Sequence, residues 1–263
     1  MIATPRPDLP PPPPRLLLGP LLWAAIGLLL AWSWHGTAFE VGALWASGPR
    51  LVDFFARMIP PDLSVASTVA VATIETVQIA LLGTGLAAIA SFALGLLGAA
   101  NLTPPRVHQP VKWLLGVLRG IPLILLALIF VSVVGLGPVA GVMTIAVHAT
   151  GMLGKFYAEA FENAAAGPLE ALRSTGASPL QVIRFGAFRQ VAPDLVRDTL
   201  FRFELNLRES LVLGLVGAGG IGFYIQLYIR AFQYDKVATL TVVVLAMVIG
   251  IEQLSVWLRR QLR

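Results

Sequence analysis

The chain has 263 residues, 57% of them apolar and only 13% charged, with a mean hydropathy of +0.79. Soluble domains carry about 25% charged residues, so a water-soluble globule, a disordered chain and a collagen-like repeat are excluded. The absence of cysteine excludes a disulfide framework, thiol catalysis and thiolate metal sites. In a chain this apolar, the formal charge of +5 points to basic segments beside a membrane rather than to nucleic acid. The composition is that of an integral membrane protein.

No Asp, Glu, Lys or Arg occurs in 16–39, 76–105, 120–154, 210–229 or 237–251. A helix needs about 20 residues to cross a bilayer, so 120–154 is too long for one crossing. Gly135-Leu136-Gly137-Pro138 divides it as a hairpin. An all-α integral membrane protein with six transmembrane helices is predicted, at about 16–34, 68–100, 113–134, 138–158, 195–216 and 236–257. The second span is overlong, and its end at Glu75 and Gln78 is expected to project beyond the lipid. With the N-terminus inside, 15 of the 19 basic residues fall on the cytoplasmic side, leaving Arg50, Arg57, Arg230 and Lys236 outside. Both termini are therefore expected to be cytoplasmic. Trp32, Trp34, Trp113, Tyr157 and Trp257 are placed near span ends, as interfacial aromatics are.

Residues 1–15 are proline-rich and expected to be an extended cytoplasmic tail. The long apolar core of the first span and its flank Trp32-Ser33-Trp34-His35 favour an uncleaved anchor over a signal peptide. The segment 35–64 is expected outside. There Leu51, Phe54, Phe55 and Met58 fall at helical spacing opposite Arg50, Asp53 and Arg57, ahead of Pro60-Pro61. That pattern suits an interfacial helix, either an anchor or part of a gate at the outer mouth. The main transmembrane domain is assigned to 65–258, and a basic cytoplasmic end to 259–263.

The loop 159–194 is rich in helix punctuation. Gly167-Pro168 ends one helix and starts another, Leu169 to Thr175 make two turns, and Gly176 stops them. Ser178-Pro179 is an N-cap and N1 pair for a second short helix, Leu180 to Phe188. Such a loop exposes Glu170, Arg173 and Arg184, either as a plain connector or as a docking surface.

Glu170-Ala171-Leu172, followed by Gly176, resembles the EAA loop of ABC importer permeases, although Gly186-Ala187-Phe188-Arg189 departs from the usual continuation. Three further segments resemble the phosphonate-import (PhnE-like) branch of that family. They are Arg202-Phe203-Glu204-Leu205-Asn206-Leu207-Arg208-Glu209-Ser210, Val216-Gly217-Ala218-Gly219-Gly220-Ile221-Gly222 and Tyr234-Asp235. Gly135 to Pro138, His148, Gly151, Lys155 and Pro60-Pro61-Asp62 extend the likeness over nearly the whole chain. The resemblance implies a MetI-like type I ABC importer transmembrane domain. It also implies a homodimer of this chain, two cytoplasmic ATPase subunits and an extracytoplasmic phosphonate-binding protein. The expected function is ATP-driven import of phosphonate or a related phosphorus oxyanion such as phosphite. The alternatives are another small anion as cargo, or an ATP-independent secondary transporter. By the same resemblance Glu170, Ala171, Leu172, Gly176, Ala177, Ser178 and Pro179 dock the ATPase. This chain has no Gly-x-x-x-x-Gly-Lys-Ser/Thr loop. ATP and Mg are accordingly expected on the partner ATPase, with no cofactor here and no enzymatic role.

Five polar residues crowd the start of the fifth span. Arg202, Asn206 and Glu209 share one face, and Glu204 and Arg208 lie nearly opposite. Either an arginine contacts the passing oxyanion or the charges neutralise one another; Glu204 and Arg208 are expected to pair. His148 is either a packing residue or part of the path. With no acidic or histidine partner near it in sequence, no metal site is predicted. Lys155 and Glu159 are spaced to pair near a helix end. Gly217-Ala218-Gly219-Gly220-Ile221-Gly222 matches Gly-x-Gly-x-x-Gly but has no preceding strand and no surrounding βαβ unit, so it is not a dinucleotide site. Gly217, Gly219, Gly220 and Gly222 instead mark a tight turn into a short helix at 222–233, either as an outer gate or as close packing.

Overall fold

A computed structural model describes residues 18–37 and 39–261. The proline-rich tail 1–15, the first two residues of the predicted first span and the end of the basic terminus lie outside the described residues. The chain divides into two units, with the boundary in sequence between Phe54 and Phe55.

In the first unit, α1 (Leu18–Gly36) is a 19-residue helix, apolar on every side, with Leu21, Trp23, Leu28 and Trp32 all exposed. Exposure of hydrocarbon around a whole helix is what a lipid-facing helix shows. After α2 (Val41–Ala46) comes α3 (Gly48–Ala56), the predicted amphipathic helix. It stops before Met58, which was expected on its apolar face.

The second unit is built on α4 (Ala66–Gly98) and α7 (Pro138–Glu162). A Cβ placed on Gly83 would lie 2.7 Å from Ile145, and one on Gly95 would lie 2.6 Å from Tyr157. Both pairs are offset by the same interval in sequence, so the two helices run parallel in fixed register. Small residues at the crossing allow this close approach where apolar lipid gives helices little reason to associate. Tyr157, expected at the interface, is buried instead, with its hydroxyl against Thr199.

The predicted third span is not one helix. It is α5 (Pro105–Gly120) followed by α6 (Leu123–Val134), bent by 86°. Pro122 lacks an N–H and forces Ile121 into extended backbone (φ −74°, ψ 122°), so the helix ends at Gly120. The break lets α5 lie on α7 so closely that a Cβ on Gly151 would sit 2.6 Å from the Arg119 amide nitrogen.

Beyond α7, the first loop helix is α8 (Ala166–Ser174), so Gly167-Pro168 sits inside its first turn rather than between two helices. The second is not free-standing. A single turn, α9 (Pro179–Gln181), passes through a π-helical turn (Val182–Ala187) directly into α10 (Phe188–Leu215). Then come α11 (Ile221–Arg230), matching the expected short helix, and α12 (Tyr234–Gln261).

Three of these helices, α4 with its lead-in turn, α7 and α12, are each long and apolar enough to cross a membrane. The two bent pairs, α1 with α2–α3 and α5 with α6, would raise the number to five. The predicted fifth span, α10, is long enough but too charged along its middle to face lipid.

Asp62 joins the starts of α4 and α12. Its carboxylate accepts hydrogen bonds from the Ser64 amide and hydroxyl, both at 2.8 Å. Its carbonyl accepts from the Thr239 hydroxyl at 2.7 Å, and its amide donates to the Asp235 carbonyl. The two Ser64 bonds hold the Asp62 carboxyl below the usual carboxylate range. The Ser64 cap is thus fully in place above that range and is lost as pH falls through the lowered value, while the backbone bonds to Asp235 and Thr239 do not titrate. Asp62→Ala should leave the bundle folded while the amides of 63–66 exchange hydrogen faster; unchanged exchange there would remove the capping role.

Candidate coupling and translocation sites

The loop after α7 is a folded knuckle on the end of the bundle. Leu169 of α8 and Val182 of the π-turn are buried with Tyr157, Phe161, Ala187 and Val191. A Cβ on Gly186 would lie 2.8 Å from Leu169, so glycine is what lets α8 rest on the π-turn. Gly176 closes α8 at φ +78°. Its amide donates to the Arg173 carbonyl and the Ala177 amide to the Leu172 carbonyl, a Schellman stop. Ser178 then caps α9: its hydroxyl accepts from the Gln181 amide, and its own amide donates to the Gln181 side chain at 2.8 Å. Glu170, Ala171, Gly176, Ser178 and Pro179 are exposed and Leu172 and Ala177 half-buried. Leu180, at 74% exposure, adds an apolar residue to the same knuckle.

A polar layer crosses the middle of the bundle. Arg202 is 2% exposed; it donates to the Glu209 carboxylate at 2.9 Å and lies against the Met152 sulfur. One turn on, fully buried Asn206 donates to the Thr84 hydroxyl at 2.8 Å. Thr84 stands midway along α4, and His148 and Met152 midway along α7. Three buried atoms of this layer, Arg202 Nε, Asn206 Oδ1 and His148 Nδ1, have no hydrogen-bond partner among the described residues. His148 sits beside the Ile121 backbone at the α5–α6 break.

The opposite face of α10 holds a separate network. Glu204 accepts from Arg208 at 2.9 Å and from Arg259 of α12 at 3.3 Å, and Arg208 also reaches Glu252 at 3.2 Å. The expected Glu204–Arg208 pair is present, extended by α12 residues that no local pattern indicates. The expected Lys155–Glu159 pair is present as well, at 3.6 Å.

At the other end of the bundle the glycine turn is flanked by helices, not by a strand. Gly217, Gly219 and Gly220 all have positive φ, a backbone that side-chain-bearing residues rarely adopt. Glu75 accepts from the Gly220 amide at 3.0 Å and Thr76 from the Ile221 amide at 2.8 Å. The Gly137 amide donates to the Gly217 carbonyl at 2.9 Å. Glu75, expected to project beyond lipid, is thus the residue that pins this turn. Gly222 touches α10 directly: a Cβ there would lie 2.0 Å from the Leu211 carbonyl oxygen. Sequence reasoning did not single out Glu75, Thr76, Thr84 or Glu252 as partners, because each meets a helix far away along the chain.

An all-helical membrane bundle with a folded knuckle at one end and charges at its middle belongs to the class of multi-pass transport proteins. Residues 91–263 match the family described as binding-protein-dependent transport system inner membrane component, and the chain belongs to that family. It is 35% identical over 238 residues to the phosphite transport system permease protein PtxC of Stutzerimonas stutzeri, covering 90% of this chain and 86% of PtxC. It is 40% identical over 223 residues to the phosphate-import permease protein PhnE of Mycolicibacterium smegmatis, covering 84% of this chain and 42% of PhnE. Among solved structures it is similar in fold to a chain of the MetNI methionine ABC transporter in an inward-facing conformation. That match has a TM-score of 0.63 at 22% identity and covers 72% of this chain and 93% of the other.

Proposed function

We propose that this chain is the permease subunit of an ATP-driven importer that carries a phosphorus oxyanion, phosphonate or phosphite, across the bacterial inner membrane. The observation that carries the reading is the knuckle formed by α8, α9 and the π-turn. It is anchored on the α7–α10 core by buried Leu169 and Val182 and turns Glu170, Ser178, Pro179 and Leu180 outward. The names of the relatives supply the cargo class.

In this reading both termini and the knuckle are cytoplasmic. Two copies of the chain pair in the membrane, each knuckle seats in one ATPase subunit, and an extracytoplasmic binding protein delivers the anion. ATP and Mg are held by the ATPase alone. Closure of the ATPase pair moves the two knuckles together. Because the π-turn runs unbroken into α10, that movement rotates α10 and its polar layer as a lever. At the far end of α10 the turn Gly217–Gly222, held by Glu75 and Thr76, is the outer gate. Arg202, Glu204, Asn206, Arg208 and His148 lie along or beside the path. The driving force is the preference of the ATPase pair for one of two permease states.

The test is ATP-dependent uptake of methylphosphonate and of phosphite by the assembled complex in vesicles. Gly176→Pro removes both the positive φ and the amide that closes α8. It should cut ATPase copurification and uptake by tenfold or more, an effect on the order of 1.4 kcal/mol or above. Wild-type assembly and uptake by this variant would remove the docking assignment. ATP-driven uptake of neither anion would remove the assignment to phosphonate or phosphite.

A further inference from the structure

At the end of the bundle that carries the knuckle, α5 and α7 enclose a cavity of about 290 Å³. Its walls carry Lys112 and Arg119 from α5 and Lys155, Glu159 and Glu162 from α7. Lys112 is paired with Glu162 at 2.7 Å, and Lys155 reaches Glu159 only at 3.6 Å. Arg119 has no carboxylate at ion-pair distance among the described residues. Three cations against two carboxylates leave a surplus of one positive charge. The α7 backbone meets the α5 backbone where Gly151 approaches Arg119, and Lys155 follows Gly151 by one turn. Arg119 and Lys155 therefore line the cavity from its α5 and α7 walls, about one helical turn apart along it. Like charges placed so invite an anion between them.

A second, open groove of about 690 Å³ shares Lys112 and Gly116 with this cavity and runs along α5 past Trp113 and Val117. Trp113 is 77% exposed, and a Cβ on Gly116 would meet nothing within 4 Å. The groove is thus an open strip along one face of α5, polar at Gln109 and Lys112 and apolar at Trp113, Gly116 and Val117, continuous with the cationic pocket.

We propose that this cleft binds an anionic glycerophospholipid, its phosphate between Arg119 and Lys155 and an acyl chain along the Trp113–Val117 groove. Guanidinium matches the phosphate oxygens through paired hydrogen bonds, and basic pockets between membrane helices hold lipid headgroups. A free phosphorus oxyanion shares the phosphate chemistry, but two features select the lipid. A phosphodiester carries a single negative charge, equal to the surplus in the pocket, whereas Glu159 and Glu162 oppose a dianion. The tryptophan-lined groove serves an acyl chain and has no use for a small hydrophilic ion. The assignment does not depend on which solute the chain transports.

Native mass spectrometry of the purified full-length chain, equilibrated with equal phosphatidylglycerol and phosphatidylethanolamine, tests it. The wild type should retain phosphatidylglycerol preferentially. Arg119→Gln with Lys155→Gln should lower that retention by about tenfold. Gly116→Leu, which fills the groove without changing charge, should lower it as well, while Arg230→Gln at the opposite end of the bundle should not. Equal retention by the wild type and the double variant would overturn the site, as would equal loss on Arg230→Gln. Displacement of the lipid by millimolar methylphosphonate would assign the pocket to free oxyanion and overturn the lipid.

Discussion

Gly222→Ala is expected to lower the thermal midpoint of the purified protein more than any other single-methyl addition in the chain. The turn after α10 folds α11 back so tightly that the two backbones touch. A Cβ on Gly222 would lie 2.0 Å from the Leu211 carbonyl oxygen and 3.1 Å from the Gly214 Cα, and a Cβ on Gly214 would lie 2.6 Å from the Gly222 Cα. A side chain that collides with another side chain can change rotamer; one that collides with helical backbone must move a helix. Overpacking typically costs 1–3 kcal/mol, and a clash of this depth against backbone belongs at about 3 kcal/mol. The turn cannot yield either, because Gly220 and Ile221 are hydrogen-bonded to Glu75 and Thr76 of α4. Gly85→Ala and Gly250→Ala are the controls. Both are helical with nothing within 4 Å of the new methyl, so they should be neutral or stabilising by about 1 kcal/mol. If Gly222→Ala melts with those controls, α11 does not pack on α10 as described.

What could be read from the sequence, and what could not, divides by distance along the chain. The Gly176 stop, the Ser178 cap, the Glu204–Arg208 pair and the short helix after the glycine run are local. Each depends on residues within a turn or two, where spacing alone decides who meets whom. Arg202, Asn206 and Glu209 were also legible as one face of one helix. Their partners on other helices were not: Thr84 is 122 residues from Asn206, and Glu75 is 145 from Gly220. Periodicity says that a polar face must find company but not which helix supplies it.

The break at Ile121 is a different case. Gly120 and Pro122 stand in the sequence, but the charge-free run from 120 onward led the expected third span straight through them. Hydropathy reports where lipid would accept a residue; proline reports where the hydrogen-bond ladder stops, and the second criterion sets the shape here. The π-turn had no signal in composition. It arises because Val182, Gly186 and Ala187 are packed beneath α8, a tertiary demand.

The pair of buried Arg202 and part-exposed Glu209, whose side chains are 3% and 26% exposed, offers the other large effect, and it separates the two roles open to the polar layer. Arg202→Met leaves Glu209 facing the bundle without its cation. Glu209→Gln leaves a guanidinium that is 2% exposed and cannot shed its proton. Stranding the buried guanidinium costs about 3–5 kcal/mol, equivalent to roughly 10 °C in thermal midpoint for a chain of this size, and stranding the part-exposed carboxylate costs less. Glu209→Gln should therefore melt well below the wild type and Arg202→Met by a smaller margin, and both should transport poorly. Replacing both partners, Arg202→Met with Glu209→Gln, removes the desolvated charges together and should bring the midpoint back to within about 1 kcal/mol of the wild type. The geometry says what transport should then do. The Arg202 guanidinium is spent on Glu209 and Met152 and is closed off from solvent in this conformation, which is the arrangement of a structural pair. ATP-driven uptake by the double variant is thus expected to return with its stability. A double variant that melts like the wild type yet carries no anion would reverse the assignment and make Arg202 a contact for the passing solute, with its unpartnered Nε as the group left free to receive it.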